Sequence, residues 1–270
     1  MPDVIIGALL GLIEGLTEFV PVSSTGHLII AGSLLGFEGE RAATFEVFIQ
    51  LGAILAVAWV YRDRLRALAD PRPAQGFAGR RGVGLLLLTT LPALVLGALA
   101  HQFIRSTLFD PRTVAVGLGL GGVAILLVER YKPHPSTAGL DALSWRVALV
   151  VGLFQCFALW PGVSRSAATM VGGLLMGVER KTAAEYSFFA AIPVIAAASL
   201  FDLATSLDGL VPSDIPLFTT GFLVAFLSAW LAVTFFLRLL TRMTLRPFGW
   251  YRIALALAVI GLLVAQGGPL

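Results

Sequence analysis

Six long apolar segments recur along this chain, each close to the length that a tilted helix needs to cross a lipid bilayer. Such runs exceed what the core of a soluble protein of 270 residues would use, and only 13% of the residues are charged. The sequence therefore predicts an all-α polytopic membrane protein. The six predicted transmembrane helices are Phe45–Tyr61, Val83–Ala100, Thr113–Val128, Ala183–Phe201, Ile215–Leu237 and Trp250–Gln266.

Two further apolar regions are interrupted by short polar stretches that contain proline. In the first, Val4–Phe19 and Leu28–Gly36 flank residues 21–26, and the two halves would be helices of about 24 Å and about 14 Å. Neither half comfortably crosses a hydrocarbon core of about 30 Å, so a re-entrant helix hairpin is predicted. A second hairpin is predicted where Val147–Trp160 and Ala167–Val178 flank residues 161–166.

The two hairpin regions resemble each other in sequence, which indicates an internal duplication. Ser23 aligns with Ser164, and Glu14 aligns with Gln155. Each half then holds one hairpin and three spans, and an odd number of crossings inverts the second half relative to the first. We therefore predict one membrane domain made of two inverted repeats, at about residues 1–131 and about residues 146–270.

The distribution of charge predicts how these repeats lie in the membrane. Basic residues mark the cytoplasmic side, whereas the loop that holds Asp202, Asp208 and Asp214 has no Lys or Arg and is predicted to lie outside. Both termini are then outside, and the hairpin tips meet near mid-membrane. Fifteen of the 19 basic residues are assigned to the inner side: Arg62, Arg64, Arg66, Arg72, Arg80, Arg81, Arg130, Lys132, Arg146, Arg180, Lys181, Arg238, Arg242, Arg246 and Arg252.

Glu14 and Glu18 lie in the apolar helix that precedes the first break. Four residues apart, they share a helix face, where like charges repel unless one is protonated or a cation lies between them. Two carboxylates with room for water and phosphate oxygens suit magnesium or calcium. The alternative is that they pair with arginines and only hold helices together.

The first break leads into Ser23, Ser24, Thr25 and His27, which open the next half-helix. The free N–H groups at a helix N-terminus favour an anion, although serine or threonine there is often only an N-cap. A hydroxyl and an imidazole this close can also supply a nucleophile and its base.

The second break ends in Ser164, Arg165, Ser166 and Thr169, which again combine a helix N-terminus with hydroxyl groups. The guanidinium of Arg165 adds a bidentate ligand for phosphate that can neutralise charge during phosphoryl transfer. The alternative is that Arg165 pairs with one of the two glutamates for assembly alone.

Three runs together resemble one protein family, the undecaprenyl-diphosphate phosphatases or bacitracin-resistance proteins: Glu14–His27, Pro161–Ser166 and Phe45–Ile54. The resemblance extends over essentially the whole chain. It implies an enzyme of the bacterial inner membrane that removes the terminal phosphate of undecaprenyl diphosphate. It also implies that the lipid carrier is thereby recycled for peptidoglycan and other envelope polymers.

Site roles follow from the resemblance by position. Glu14 and Glu18 would bind the divalent metal, with Glu18 also catalytic, and either Ser24 or His27 would be the nucleophile or base. Arg165 would hold the phosphates with the hydroxyl groups at the two tips, those of Ser23, Thr25, Ser164, Ser166 and Thr169. One departure is Ala167, where the family usually has glycine.

The partners expected are a polyprenyl diphosphate and the surrounding membrane lipids, with the site open to the periplasmic or outer face. The net charge of +3 reflects orientation rather than nucleic-acid binding, and a homodimer is compatible with the sequence. A different class of protein also fits: secondary transporters use inverted repeats with broken helices, so the chain could move an anion or flip a lipid phosphate.

Overall fold

The computed structural model describes residues 2–70, 76–108, 110–206 and 211–265, and these form a helical protein without a β-sheet. Arg72, Asp208 and Gln266, which belong to the sequence predictions, lie outside the described residues. The helices are α1 (Asp3–Thr17), α2 (Ser24–Leu35), α3 (Glu40–Val60), α4 (Arg62–Ala69), α5 (Gly79–Phe103), α6 (Pro111–Tyr131), α7 (Trp145–Gln155), α8 (Arg165–Leu175), α9 (Arg180–Ser206), α10 (Ile215–Leu240) and α11 (Arg246–Ala265).

The six predicted transmembrane helices are confirmed as α3, α5, α6, α9, α10 and α11, all long and apolar enough to span a membrane. Their observed ends extend beyond most of the predicted ones, because helices continue into polar residues at the membrane surface. The helix predicted from Phe45, for example, begins at Glu40, whose carboxylate favours a first helical turn.

The two broken regions form pairs of short helices, α1 with α2 and α7 with α8. Each break ends at a serine with a positive φ, 73° at Ser23 and 69° at Ser164, the only non-glycine residues in this region of conformational space among those described. Each serine caps its helix, accepting from the N–H of Gly26 at 3.4 Å and of Ala167 at 3.3 Å. The aligned serines therefore hold the same unusual conformation, as a duplication predicts.

Helix packing supports the predicted relation between the halves. In the two halves, α1 corresponds to α7, and α5 corresponds to α10. Helix α1 packs on α10, and helix α7 packs on α5 in the same way. Helix α6 packs on α11, and α3 packs on α9. In each of these two pairs the helices are corresponding members of the two halves, so a two-fold axis would exchange them. The inverted course through the membrane stays a prediction that these contacts favour.

Glycines make the contact between α1 and α10 close. A Cβ atom at Gly7 or Gly15 would collide with the α10 backbone, and one at Gly11 would collide with Gly221. Small residues in this spacing let two backbones approach in a membrane. Their role is therefore packing of the helix that carries both glutamates.

The loop after α3 contains a helix that the sequence analysis did not predict, α4. Asp141 holds this loop at two points. Its carboxylate pairs with Arg64 of α4 at 3.1 Å and accepts a hydrogen bond from the N–H of Phe77, further along the loop, at 2.8 Å. These contacts hold the pKa of the Asp141 carboxyl below its ordinary value.

Candidate active site

The tips of the two hairpins touch each other. The Arg165 Nη2 atom at the start of α8 lies 3.1 Å from the Glu18 Oε1 atom at the end of α1. The Ser166 hydroxyl donates to the Val20 carbonyl at 3.0 Å. Residues 147 positions apart in sequence are thus neighbours in one site.

A cavity of about 180 Å³ lies where the tips meet. Its polar lining combines one carboxylate, one guanidinium and several hydroxyl groups, and helices α3 and α9 close it from the side. It is lined by Glu18, Ser23, Ser24, Thr25, Gln50, Ala158, Trp160, Pro161, Gly162, Ser164, Arg165, Val194, Ile195 and Ala198. The N-termini of α2 and α8 both open at this cavity, so each contributes partial positive charge for an anion.

Glu18 and Ser24 form the arrangement of a base and a nucleophile. The Ser24 hydroxyl donates to Glu18 Oε2 at 2.5 Å across the first break. Ser24 is in the first turn of α2, because that helix begins four residues earlier than the sequence indicated. A serine bonded to a carboxylate can give up its proton as the oxygen attacks.

His27 faces away from this pair. Its Nδ1 atom lies 2.7 Å from the Ser23 carbonyl oxygen, and its Nε2 atom lies 2.6 Å from the Tyr251 hydroxyl. The two rings stack with an interplanar angle of 4° and centroids 5.6 Å apart. Both ring nitrogens are therefore engaged by groups other than the Ser24 hydroxyl, and the acceptor of that hydroxyl is Glu18.

Arg165 is held on two sides, and one of its three guanidinium nitrogen atoms has no partner within the described part of the chain. Nη1 donates to the Ser187 carbonyl at 3.0 Å, and Nη2 donates to Glu18. Nε is buried and has no hydrogen-bond partner among the described residues. A buried N–H without a partner is costly, so Nε is an unsatisfied donor on a side chain that lines the cavity. The pairing with Glu18, one of the two alternatives weighed above, coexists with this unsatisfied donor.

The remaining hydroxyl groups of the second tip differ in their roles. Ser164 lines the cavity, and its oxygen lies 3.0 Å from that of Ser166. Ser166 and Thr169 are buried, and Thr169 donates to the Arg165 carbonyl at 2.8 Å or to Ser187 Oγ at 2.7 Å. All three predicted phosphate-binding hydroxyls here thus bond to protein, and Ser164 is the one of the three that lines the cavity.

Ala167, the residue that departs from the family pattern, lies inside the first turn of α8. Its N–H bonds to the Ser164 cap, and its side chain is buried. A residue with helical backbone angles gains nothing from being glycine, so alanine fits here without strain.

Glu14 is completely buried, and neither of its carboxylate oxygens has a hydrogen-bond partner in the described structure. Glu18, Glu46 and Arg165 are the charged groups that act on it. Among the described residues, no group of three or more His, Cys, Asp or Glu side chains could hold a metal ion.

Sequence reasoning missed two residues of this region. Gln50 of α3 lines the cavity, although sequence gave it no role beyond one of the family-like runs. Arg252 of α11 was counted with the basic residues of the inner side, but its side chain is not at a surface. It is fully buried and bonds to backbone carbonyls at both hairpin tips. A count of charges by segment does not show which way a side chain points.

The fold and this site define an α-helical membrane protein with a buried serine and a partly buried pair of glutamate and arginine at two apposed helix N-termini. Residues 7–258 match the profile of the family described as "Bacitracin resistance protein BacA". The chain belongs to this family, which confirms the resemblance drawn from its motifs.

Curated relatives cover nearly the whole chain. A protein of Nitratidesulfovibrio vulgaris named "Undecaprenyl-diphosphatase" is 59% identical over 256 residues, which are 95% of this chain and 97% of that protein. Another protein of that name, from Maridesulfovibrio salexigens, is 56% identical over 96% of this chain and 98% of its own length. "Undecaprenyl-diphosphatase 1" of Bacillus cereus is 48% identical over 95% and 97%.

Proposed function

We propose that this chain is a membrane phosphatase that converts undecaprenyl diphosphate into undecaprenyl phosphate and inorganic phosphate. The observation that carries the proposal is the bonded set of Ser24, Glu18 and Arg165 at a cavity enclosed by apolar helices. The relatives named undecaprenyl-diphosphatase support the choice of lipid. The product would return to the synthesis of peptidoglycan and other envelope polymers, and the family description ties the activity to bacitracin resistance.

The geometry supports a double displacement. The Ser24 oxygen attacks the terminal phosphorus as its proton passes to Glu18, and undecaprenyl phosphate leaves with the bridging oxygen. Arg165 Nε and the N-termini of α2 and α8 stabilise the negative charge that spreads over the phosphoryl oxygens. Glu18 passes the serine proton to the departing undecaprenyl phosphate, then takes a proton from the water that attacks the phosphoserine. It returns this proton to the Ser24 oxygen as inorganic phosphate leaves.

A divalent cation, magnesium or calcium, fits the first tip. Glu14 offers two buried oxygens without partners, and Glu18 is one helical turn away. Together they would hold the ion, with the other positions left for water and phosphate oxygens. When bound, the ion would offset the negative charge of the diphosphate.

Replacing Glu14 with glutamine should raise the Mg²⁺ concentration for half-maximal activity by about tenfold or more, because one ligand loses its charge. Phosphate release at increasing Mg²⁺ after chelator treatment measures the shift. Glu185→Gln, at the position that aligns with Glu46 in the second half, is the matched control and should leave the titration unchanged. An unchanged titration for Glu14→Gln would assign Glu14 to helix packing alone.

We further propose that the protein resides in the bacterial inner membrane with the cavity open to the periplasmic side. The basic segments then face the cytoplasm, and the prenyl tail lies between helices or in the lipid. All the residues used belong to one chain, so a homodimer is not required for the chemistry.

The transporter class shares the paired packing of the halves, and fold alone does not separate the two functions. Hydrolysis is favoured because a carrier has no need of a serine bonded to a carboxylate. Purified protein in detergent, given undecaprenyl diphosphate and Mg²⁺, should form undecaprenyl phosphate and inorganic phosphate in equal amounts. A carrier would return the lipid chemically unchanged.

A further inference from the structure

Arg252 is a fully buried cation that the mechanism above does not use. It lies in α11, and its guanidinium donates to carbonyl oxygens from three separate parts of the chain. These oxygens belong to Pro21 of the first tip at 3.2 Å, Gly162 and Val163 of the second tip at 2.8 Å each, and Gly117 and Leu118 of α6 at 3.2 Å and 3.3 Å.

The guanidinium takes its stabilisation from peptide dipoles alone. Within the described part of the chain, no carboxylate pairs with Arg252. A buried charge without a counter-ion costs several kcal/mol unless dipoles replace the lost hydration. All five carbonyl oxygens around Arg252 must therefore stay in place for the charge to be tolerated, which makes it a stringent constraint on the tips.

Helix α6 is shaped to admit this contact. A Cβ atom at Gly121 would collide with the Arg252 guanidinium, and one at Gly117 would collide with the Pro161 carbonyl. Gly119, between them, has only Ala256 nearby, at an ordinary 3.8 Å. Neither Gly117 nor Gly121 therefore has room for a side chain, and Gly122 lacks it as well, against the Gly249 carbonyl of α11.

The bonds to Arg252 also orient the peptide groups of the second tip. All described peptide bonds are trans, so a carbonyl and the N–H of the next residue point in opposite directions. The Val163 carbonyl points at Arg252, which turns the Ser164 N–H to the other side. Gly162 and Ser164 both line the cavity, so the peptide group that Arg252 orients belongs to the cavity wall.

We propose that Arg252 is a positioning residue that clamps the two hairpin tips into a single phosphate site. It fixes the tip that carries Glu18 and Ser24 against the tip that carries Arg165, and it sets the direction of the Ser164 N–H. The inference rests on the tips being the reaction site. It extends that proposal to a residue outside the cavity, on the last helix of the chain.

Arg252→Met and Arg252→Lys test this clamp. A methionine removes every donor, and a lysine keeps the charge but lacks the planar fork that reaches three segments. Relative to the parent protein, kcat per folded molecule should fall about a hundredfold for methionine and about tenfold for lysine. KM should change by less than about threefold, because the prenyl tail still binds. The inhibition constant of inorganic pyrophosphate should rise with the loss of kcat.

Gly121→Ala provides an independent perturbation that leaves Arg252 in the chain. The added methyl displaces the guanidinium, so kcat should fall in the same way, whereas Gly119→Ala in the same helix should have no effect. In the Arg252→Met background, Gly121→Ala should add little, since the atom that it displaces is gone. Arg246→Met, an exposed arginine of α11, is the control for loss of charge.

A purely structural role would lower yield and melting temperature but leave kcat, KM and the pyrophosphate constant of the folded fraction unchanged. That result, or full additivity of Gly121→Ala with Arg252→Met, would overturn the proposal. Failure of the tips as the reaction site would look different, because Ser24→Ala and Arg165→Ala would then retain activity.

Discussion

Arg165→Ala is expected to lower kcat/KM for undecaprenyl diphosphate by about a thousandfold or more, the scale at which arginines stabilise phosphoryl transfer. The reason is geometric. Arg165 lines the cavity, bonds to Glu18 of the first tip and to the Ser187 carbonyl of α9, and has a buried Nε atom without a partner in the described structure. The measurement is initial-rate phosphate release by purified protein in detergent.

The controls for Arg165→Ala separate chemistry from assembly. The change leaves the Glu18 carboxylate buried without its ion pair, so stability should also fall and rates must be taken on the monodisperse, folded fraction. Arg165→Lys should retain part of the activity, because a charge without the planar fork still attracts phosphate. Arg146→Ala, on the surface of α7, should be neutral. Near-normal turnover by folded Arg165→Ala would remove Arg165 from the mechanism.

Ser24→Ala is expected to abolish turnover, with a loss of about a thousandfold or more in kcat, because it removes the atom that attacks phosphorus. Alanine is small and helix-compatible at this first-turn position, so the fold should survive. Ser33→Ala, an exposed serine of the same helix, is the matched control. Phosphate release measures both variants.

Trapping the reaction intermediate identifies the nucleophile directly. After an acid quench, substrate labelled in its terminal phosphate should leave label on Ser24 of the parent protein as acid-stable phosphoserine. Acid-labile label on His27 would contradict this assignment. The bonds from both His27 nitrogens to Ser23 and Tyr251 make serine the expected result.

The fold followed from sequence wherever one local property decided the structure. Long apolar runs set the six spans, and proline with polar residues marked both breaks. The spacing of Gly7, Gly11 and Gly15 is typical of close helix packing, but only the structure shows that the partner is α10. Helix ends were less accurate, because caps such as Ser23 and Ser164 depend on a backbone conformation that residue type alone does not specify.

The site was harder to predict because its decisive contacts join distant residues. Ser24 and His27 are close in sequence, but the helical turn directs the His27 ring to Tyr251, more than two hundred residues away. The Ser24 hydroxyl bonds to Glu18 instead. Arg252 carried no motif at all. Only the packing of α11 against α6 shows that its charge points inward at the two tips.

The most direct measurement of the central claim, that the two tips form one phosphatase site, is a double-mutant cycle across their contact. Glu18→Asp on the first tip and Arg165→Lys on the second keep both charges. The shorter carboxylate side chain or the non-planar ammonium group changes the geometry of the 3.1 Å contact. Because the two residues act as a unit, phosphate release by the double variant should fall little below that of the weaker single variant. Losses that multiply would show two independent groups and contradict the account.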